Sequence, residues 1–241
     1  MAYYYYGNDG GRRGGFLSSL PPVTKNLIIV NVIVFLASLL NENFMIGTFA
    51  LFYPTSVYFH WWQVVTHMFM HGGFWHIFFN MYTLYIFGLA VERTIGSRKF
   101  LLFYFICGFG AAALHLGVQW LQASSFMSQM ASASSEVAAS AAASYARLKM
   151  IPTVGASGAI YGVLLGYAFL YPQNRMTLLF PPVTLSAKWM VLIFLGIELL
   201  TGVTGTVDGV AHFAHLGGAL FGWLMMIWWR RNGTLYNQDW L

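Results

Sequence analysis

Residues 210–231 read VAHFAHLGGALFGWLMMIWWRR, an apolar run that ends at two arginines and contains His212 and His215. A run of about 20 such residues is long enough to cross the ~30 Å hydrocarbon core of a bilayer as one helix. In a helix, every backbone polar group is satisfied within the segment, as lipid requires. The run therefore predicts a membrane-spanning helix. Its histidines are functional candidates, because ionisable side chains are costly to bury in lipid.

The composition of the whole chain agrees with a membrane protein. Of its 241 residues, 58 % are hydrophobic and only 8 % are charged, against roughly 25 % charged in a soluble domain. So apolar a chain cannot cover itself with polar surface, which excludes a cytosolic globular domain and a disordered chain. The single cysteine, Cys107, allows no intramolecular disulfide.

Five more apolar segments precede this run and predict an all-α polytopic membrane protein, a six-transmembrane-helix bundle. The membrane domain is expected over residues 25–230, between tails at 1–24 and 231–241. The apolar segments run over about residues 26–40, 73–90, 100–121, 157–171, 187–201 and 210–229.

The basic residues predict how the bundle lies in the membrane. Ten of the twelve lysines and arginines fall on one side of the predicted bundle, in or next to the tails and the connections after the second and fourth spans. Basic residues concentrate on the cytoplasmic side, so both termini are expected to be cytoplasmic. The net charge of +5 is therefore a topology signal, and membrane lipid rather than nucleic acid is the expected partner. The absence of a long transit-type presequence favours a bacterial plasma (inner) membrane.

Two external connections are long. Residues 41–72 are rich in aromatic side chains, which concentrate at membrane interfaces, so this segment is expected to lie at the external interface. Residues 122–150 form a Ser/Ala-rich tract that suits either a solvated helix or a mobile loop. A spacer without a function of its own is the plainer interpretation of this tract.

A serine opens the fourth span, in the sequence Gly155-Ala156-Ser157-Gly158. A serine at the start of a helix is most often an N-cap, whose hydroxyl accepts a hydrogen bond from a free backbone N–H. The glycines that follow favour a second role. They recur every four residues, at 158, 162 and 166, and leave one helix face without side chains. Another helix backbone can approach such a face closely.

The sixth span carries a matching face. Gly218 and Gly222 lie three and seven residues after His215 and therefore share its side of the helix. Packing of the two glycine faces predicts that His215 meets Ser157 near the external side of the membrane. A serine and a histidine in contact are the minimal pair for acyl transfer, because the imidazole takes the hydroxyl proton and returns it to the leaving amine.

The second span contains His76 and Asn80, four residues apart and on one helix face. Both side chains can donate hydrogen bonds, and with the backbone N–H of Ser157 they would stabilise a developing oxyanion. The alternative is that they hold neighbouring helices together, as polar side chains often do in membrane bundles.

These motifs together resemble the rhomboid family of intramembrane serine proteases. The likeness covers about residues 25–230, with all six helices in order. Two further positions look like family positions, Glu92-Arg93 and Trp62-Gln63, of which the latter departs from the more familiar Trp-Arg. The three motifs are His76-x-x-x-Asn80, Gly155-x-Ser157-Gly158 with Tyr161 and Gly162, and Ala214-His215-x-x-Gly218-x-x-x-Gly222.

The resemblance implies a role for each motif residue. Ser157 is the nucleophile and His215 the general base, with no third acid. His76, Asn80 and the Ser157 amide form the oxyanion site, and Tyr161 packs against the catalytic histidine. The motif register selects His215 over His212, which is expected one turn nearer the external water. The supporting residues are Gly155, Gly158, Tyr161, Gly162, Gly218 and Gly222.

Other polar residues are given structural roles. His67 and His71, just before the second span, are expected to make local hydrogen bonds. Glu198 in the fifth span is expected to make a structural hydrogen bond. No H-E-x-x-H sequence occurs and no carboxylate is expected beside the histidines, so neither a metal nor a cofactor is predicted.

The sequence therefore predicts an intramembrane serine endopeptidase that cleaves transmembrane or juxtamembrane segments of membrane proteins through a Ser-His dyad and an acyl-enzyme. Its partners are transmembrane protein substrates, which are expected to approach laterally near spans two and five. The external segment and the loop before span six are candidate gates. Two other classes stay open: a non-catalytic rhomboid-like protein that binds membrane clients, and a transporter or a metal or haem carrier that uses the external histidines.

Overall fold

The computed structural model describes residues 20–132, 134–178, 182–204 and 209–236, with side chains from residue 211 onward in the last range. Most of the expected N-terminal tail, the end of the C-terminal tail and the candidate gate before the sixth span lie outside the described residues. The described elements, in chain order, are α1 (Pro22–Leu40), α2 (Glu42–Phe49), α3 (Gln63–Thr66), α4 (Phe74–Thr83), α5 (Leu89–Ile95), α6 (Ser97–Ser132), α7 (Ser135–Met150), α8 (Ser157–Leu170), β1 (Arg175–Thr177), β2 (Thr184–Ser186), α9 (Ala187–Val203) and α10 (Gly209–Arg231).

The six apolar segments are helical, and the predicted all-α bundle is confirmed. The second span is one continuous helix over Phe74–Ile95, in which a π-helical turn at Leu84–Gly88 joins α4 to α5. Within the described residues, Pro22–Leu40, Phe74–Ile95 and Ser97–Ser132 are long and apolar enough to cross a membrane by length and composition. The described residues also include two short antiparallel strands, β1 and β2, after the fourth span, and an isolated antiparallel bridge between Leu51 and Thr153.

The Ser/Ala-rich tract forms helix rather than loop. α6 continues beyond the expected end near residue 121 as far as Ser132, and α7 follows it at once. Alanine is the strongest helix former, so a tract rich in alanine prolongs the helix once the membrane span has nucleated it. Ala123 and Leu148 are buried beside Tyr53, so the two helices also pack against the external segment.

The centre of the bundle is α8, a helix of 14 residues that packs between α6 and α10. Glycine allows the backbone of α8 to lie close to α6 and to α10. A Cβ added at Gly162 would lie 2.3 Å from the sulfur of Cys107 in α6, and one added at Gly218 would lie 1.8 Å from the carbonyl oxygen of Gly158. The glycine faces of α8 and α10 therefore meet, as the four-residue spacing predicts.

Several contacts place the start of α1, the connection after the second span and the end of α10 on one side of the bundle. The buried carboxylate of Glu92 at the end of the second span accepts hydrogen bonds from the backbone N–H groups of Val23 and Thr24 and from both the Thr24 and Ser97 hydroxyls. Lys99, in the first turn of α6, donates to the carbonyl of Thr234 beyond α10. The start of α1, the second connection and the end of α10 thus share one side, as six crossings require. Glu92 also explains why α1 begins at Pro22 rather than near residue 26, because it satisfies N–H groups that the first turn leaves free.

The external segment is held together by a buried glutamine. The Gln63 side chain is fully buried, donates to the carbonyl of Tyr58 at 2.7 Å and accepts from the N–H of His60 at 3.1 Å. Trp62 adds a bond from its indole N–H to the carbonyl of Thr48 at 2.9 Å. Gln63, at the position where the resemblance expects arginine, therefore fixes the loop that precedes the second span. Several aromatic side chains of the segment stay exposed, as the interfacial location predicts: Phe44, Tyr58 and Trp61.

Candidate active site

Ser157 and His215 lie in direct contact. The hydroxyl oxygen of Ser157, in the first turn of α8, is 2.8 Å from Nε2 of His215 in α10. The N-cap of α8 is Ala156, and the Ser157 hydroxyl makes no capping bond. Ser157 is therefore not an N-cap, contrary to the plainer interpretation of its position. The hydroxyl is instead directed at an imidazole that can take its proton.

The depth of this pair follows from the length of α8. At 1.5 Å per residue, 14 residues extend only ~21 Å, less than the ~30 Å hydrocarbon core. The C-terminal end of α8 lies on the same side as the end of the second span, since Tyr171 is hydrogen-bonded to Thr94. Ser157, at the opposite end of this short helix, therefore lies below the level that a full-length span would reach.

Gly155 brings the second span to the serine. Its φ of 131° is a backbone conformation that favours glycine. A Cβ here would lie 2.9 Å from Nε2 of His76 and 3.4 Å from the hydroxyl oxygen of Ser157, so the glycine lets both groups share one small space. The N–H of Gly155 donates to the carbonyl of His67 at 2.9 Å, which ties this loop to the external segment.

His76 and Asn80 lie on α4 with donors available. The N–H of Gly72 donates to Nδ1 of His76 at 3.4 Å, which leaves the proton of a neutral imidazole on Nε2, the nitrogen near Gly155. Asn80 is buried, and its Nδ2 has no hydrogen-bond partner among the residues the structure describes. A buried amide donor without a partner is unusual, so it is available to a bound oxyanion. The structure shows no bond from Asn80 Nδ2 to another described helix.

Tyr161 and His215 are stacked. Their ring centroids are 4.3 Å apart and the planes differ by 8°. The Tyr161 hydroxyl donates to Oε1 of Glu198 on α9. The tyrosine therefore lies flat against the histidine, as the resemblance implies, and is itself held by a carboxylate.

Glu198 joins two histidines. Its Oε2 accepts a hydrogen bond from Nδ1 of His212 at 2.5 Å and lies 3.0 Å from Nδ1 of His215. The His215 N–H does not point at the oxygen, so this second contact is close without being a hydrogen bond, and Nδ1 has no other partner in the described ranges. The expectation that no carboxylate accompanies the histidines is therefore wrong. The spacing of residues along α9 does not show that Glu198 faces the histidines of α10, so the sequence did not predict this contact. His212 is hydrogen-bonded to this carboxylate and is also partly exposed.

This cluster is also where a cation would find ligands. One atom each from Glu198, His212 and His215 lies within 4.8 Å of the others, and two imidazoles with a carboxylate are a common zinc ligand set. Bound there, a metal would occupy the histidine that contacts Ser157.

The two earlier histidines differ from each other. His67 donates from Nδ1 to the carbonyl of Gln63 at 2.8 Å, the local bond that was expected. His71 has no hydrogen-bond partner for either ring nitrogen in the part of the chain described, so the same expectation is wrong for it; its ring instead packs edge-on against His76 at 5.0 Å. Burial lowers the pKa of both His67 and His71 to about 4, so both are neutral near pH 7.

A small cavity with apolar walls and a few polar groups adjoins the pair. Its volume is about 40 Å³, enough to hold water, which needs ≳ 10–15 Å³ on this measure. His115 lines the cavity, with Nε2 hydrogen-bonded to the Thr153 hydroxyl at 2.7 Å. No sequence motif pointed to His115 or Thr153. The other lining residues include His67, Met68, Ser157 and His215.

Comparison with known proteins places the chain among rhomboids. The sequence model of the Rhomboid domain matches residues 58–232. Rhomboid protease AarA of Providencia stuartii is 26 % identical over 215 residues, which are 85 % of this chain and 71 % of AarA. Rhomboid protease GluP of Bacillus subtilis is 27 % identical over 162 residues, and RHOMBOID-like protein 1 of Arabidopsis thaliana 30 % over 165 residues. The chain spans only 25 % and 33 % of these last two.

The helical bundle and the matched domain define the class of protein, a multi-pass membrane serine protease. The chain belongs to the rhomboid family. The predictions of family, of an integral membrane bundle and of a serine-type protease are confirmed at this level.

Proposed function

We propose that this rhomboid-family protein is an endopeptidase that hydrolyses peptide bonds in or beside the transmembrane segments of other membrane proteins. The observation that carries the proposal is the 2.8 Å contact between Ser157 Oγ and His215 Nε2 within a helical membrane bundle. Such a contact lets the imidazole remove the hydroxyl proton as the oxygen attacks.

The first half of the reaction forms an acyl-enzyme. The Ser157 oxygen attacks the scissile carbonyl carbon while its proton passes to His215 Nε2. The C–N bond then breaks, and His215 gives that proton to the leaving amine. The substrate's N-terminal part stays attached to Ser157 as an ester.

The tetrahedral intermediate carries a negative oxygen that needs donors. His76 Nε2 near Gly155, the free Asn80 Nδ2 and the Ser157 backbone N–H are the groups proposed to bind it. In a site with little water, each of these bonds is stronger than in bulk solvent.

Water completes the reaction. It attacks the ester carbonyl with His215 as base, and Ser157 leaves with the proton that His215 returns. The cavity beside Ser157 is the proposed source of this water, because polar groups in its wall, among them the hydrogen-bonded pair His115 and Thr153, could hold it. Water and the side chains named above suffice for every step, so we propose neither a cofactor nor a metal.

The substrate is proposed to reach the site from the lipid, beside α4 and α9. α4 exposes the aromatic side chains of Phe74, Trp75, Phe78 and Phe79, and α9 exposes Leu192, Ile193, Ile197 and Leu200. A helix in lipid protects its peptide bonds by internal hydrogen bonds, so the substrate must unwind locally before attack. Residues of low helix propensity near the cut should therefore favour cleavage.

The orientation of the protein in the membrane is part of the proposal. Both termini are proposed to face the cytoplasm and Ser157 to lie toward the external side, because the start of α1 and the end of α10 share one side and the basic residues concentrate there. The membrane is proposed to be a bacterial inner membrane. Residues 25–230 act as one membrane domain, flanked by the tails 1–24 and 231–241.

The test uses purified protein in detergent with a fusion protein that contains one transmembrane segment. We expect the wild type to cut it and Ser157→Ala to leave it intact, in buffer with and without a chelator. Ser124→Ala is the matched control, because the Ser124 hydroxyl is exposed on α6 and bonds only its own helix. Equal cleavage by wild type and Ser157→Ala would show that the assignment of the nucleophile is wrong.

A further inference from the structure

We propose that Glu198 is a positioning residue, which holds His215 through Nδ1 and stabilises the imidazolium that forms when Ser157 attacks. The inference rests on the proposed function and extends its Ser-His dyad to a Ser-His-Glu unit built from three helices, α8, α10 and α9.

The carboxylate is buried against the catalytic pair and surrounded by donors. Its residue is only 8 % exposed. Oε1 accepts from the Tyr161 hydroxyl, and Oε2 accepts from His212 Nδ1 and faces His215 Nδ1 at 3.0 Å. A buried ionised carboxylate persists only when donors compensate its lost hydration. Tyr161 and His212 supply that compensation, so the charge can be kept beside His215.

The Glu198 carboxylate faces the His215 nitrogen that must carry the ring proton. For His215 Nε2 to accept the Ser157 proton, the proton of the neutral ring must sit on Nδ1. That Nδ1 is buried and makes no hydrogen bond to any described residue, yet Glu198 Oε2 is within bonding distance. A small turn of the imidazole aligns the N–H with this oxygen. Bonding there selects the reactive tautomer, as a carboxylate behind a catalytic histidine does.

A positive charge develops on the His215 ring during the reaction. When Nε2 takes the proton, His215 becomes positive in a membrane site of low dielectric constant, where a nearby opposite charge acts strongly. Glu198 receives no proton at any step. The proton moves only from Ser157 to Nε2 and then to the leaving amine, so the carboxylate acts through His215.

A role in packing alone makes a different prediction. If Glu198 only joined α9 to α8 and α10, an amide of the same shape would keep most of the contacts and the rate. The decisive variant is therefore Glu198→Gln, whose side chain fills the same space without the charge. Glu92→Gln is the matched control, because Glu92 is also a buried, hydrogen-bonded carboxylate, on the opposite side of the bundle.

The experiment measures kcat and KM for a transmembrane substrate and the rate of Ser157 labelling by a fluorophosphonate. We expect Glu198→Gln to lower kcat and the labelling rate by about 10²–10³-fold, with KM within about threefold, because the lost interaction is strongest in the transition state. Glu92→Gln should lower the melting temperature and leave kcat of the folded protein within about threefold. A Glu198→Gln protein with near wild-type kcat and labelling rate would overturn the proposal.

A second variant, Glu198→Ala, tests the proposal even if Glu198→Gln does not fold. Glu198→Ala leaves a space beside His215 that formate can enter as a small carboxylate. We expect formate to raise its labelling rate several-fold, with no such effect of chloride at equal ionic strength. Absence of this rescue in folded Glu198→Ala would overturn the proposal. Failure of the proposed function has its own signature, since the wild type and Ser157→Ala would then behave alike.

Discussion

The substitution Gly218→Ala tests whether the contact between α8 and α10 sets the geometry of the site. A Cβ at residue 218 would lie 1.8 Å from the Gly158 carbonyl oxygen, whereas ordinary contact begins near 3.4 Å. The obstructing atom is backbone, so it cannot turn away as a flexible side chain would. The two helices must therefore separate locally by about 1.6 Å.

That separation acts directly on the reacting groups. Ser157 lies one residue before Gly158, and His215 lies one turn before Gly218, so the contact between them opens with the helices. Their 2.8 Å distance would rise beyond 4 Å, too long for a hydrogen bond. A misplacement of ~1 Å at a reacting group costs about 100-fold in rate, so we expect kcat to fall at least that far. Overpacking should also lower the free energy of unfolding by about 1–3 kcal/mol.

The assay combines substrate cleavage, fluorophosphonate labelling of Ser157 and thermal unfolding followed by circular dichroism in detergent. Gly117→Ala is the matched control, because a Cβ at this helical glycine of α6 meets nothing within 4 Å. It should keep full activity and gain up to about 1 kcal/mol from the better helix former. If Gly218→Ala cleaves and labels at the wild-type rate, the glycine contact does not set the catalytic distance.

Three further predictions concern individual side chains. Asn80→Ala should lower kcat by about 10²–10³-fold with little change in KM, measured in steady state, because we propose that its amide donates to the oxyanion; a rise in KM alone would argue against that role. His215→Ala should abolish cleavage whereas His212→Ala should only weaken it, and the reverse order in the same assay would overturn the choice of base. The melting temperature should fall as the pH drops from about 6.5 toward 4, because folding keeps His67 and His71 neutral, with pKa values of about 4, while the unfolded chain takes up protons. His67→Gln should reduce this slope and leave the part due to His71, and an unchanged slope would assign the pH dependence to other groups.

The sequence predicted the elements of this protein well, because the bilayer imposes a simple rule on length and hydropathy. The four-residue glycine spacing in α8 and α10 carried enough information to predict which faces meet, since close backbone approach tolerates only small residues. The pairing of Ser157 with His215 follows from that contact. The shortness of α8 could also be read from Pro172, where the apolar segment stops.

Other features depend on tertiary contacts that no local pattern records. Glu198 looked like a structural residue because its helix face could not be related to α10 from spacing alone. The composition of the Ser/Ala tract does not decide its structure, because alanine and serine suit both a solvated helix and a loop. Gln63 forms its network within a loop whose path depends on the surrounding backbone carbonyls, which its residue type does not reveal.

The proposal that His215 activates Ser157 as the nucleophile is tested by mass-spectrometric mapping of the fluorophosphonate adduct on the folded protein. We expect one adduct, on Ser157, which forms at least about 100-fold more slowly in His215→Ala. An adduct on another serine, or labelling of Ser157 at the same rate in His215→Ala, would contradict it.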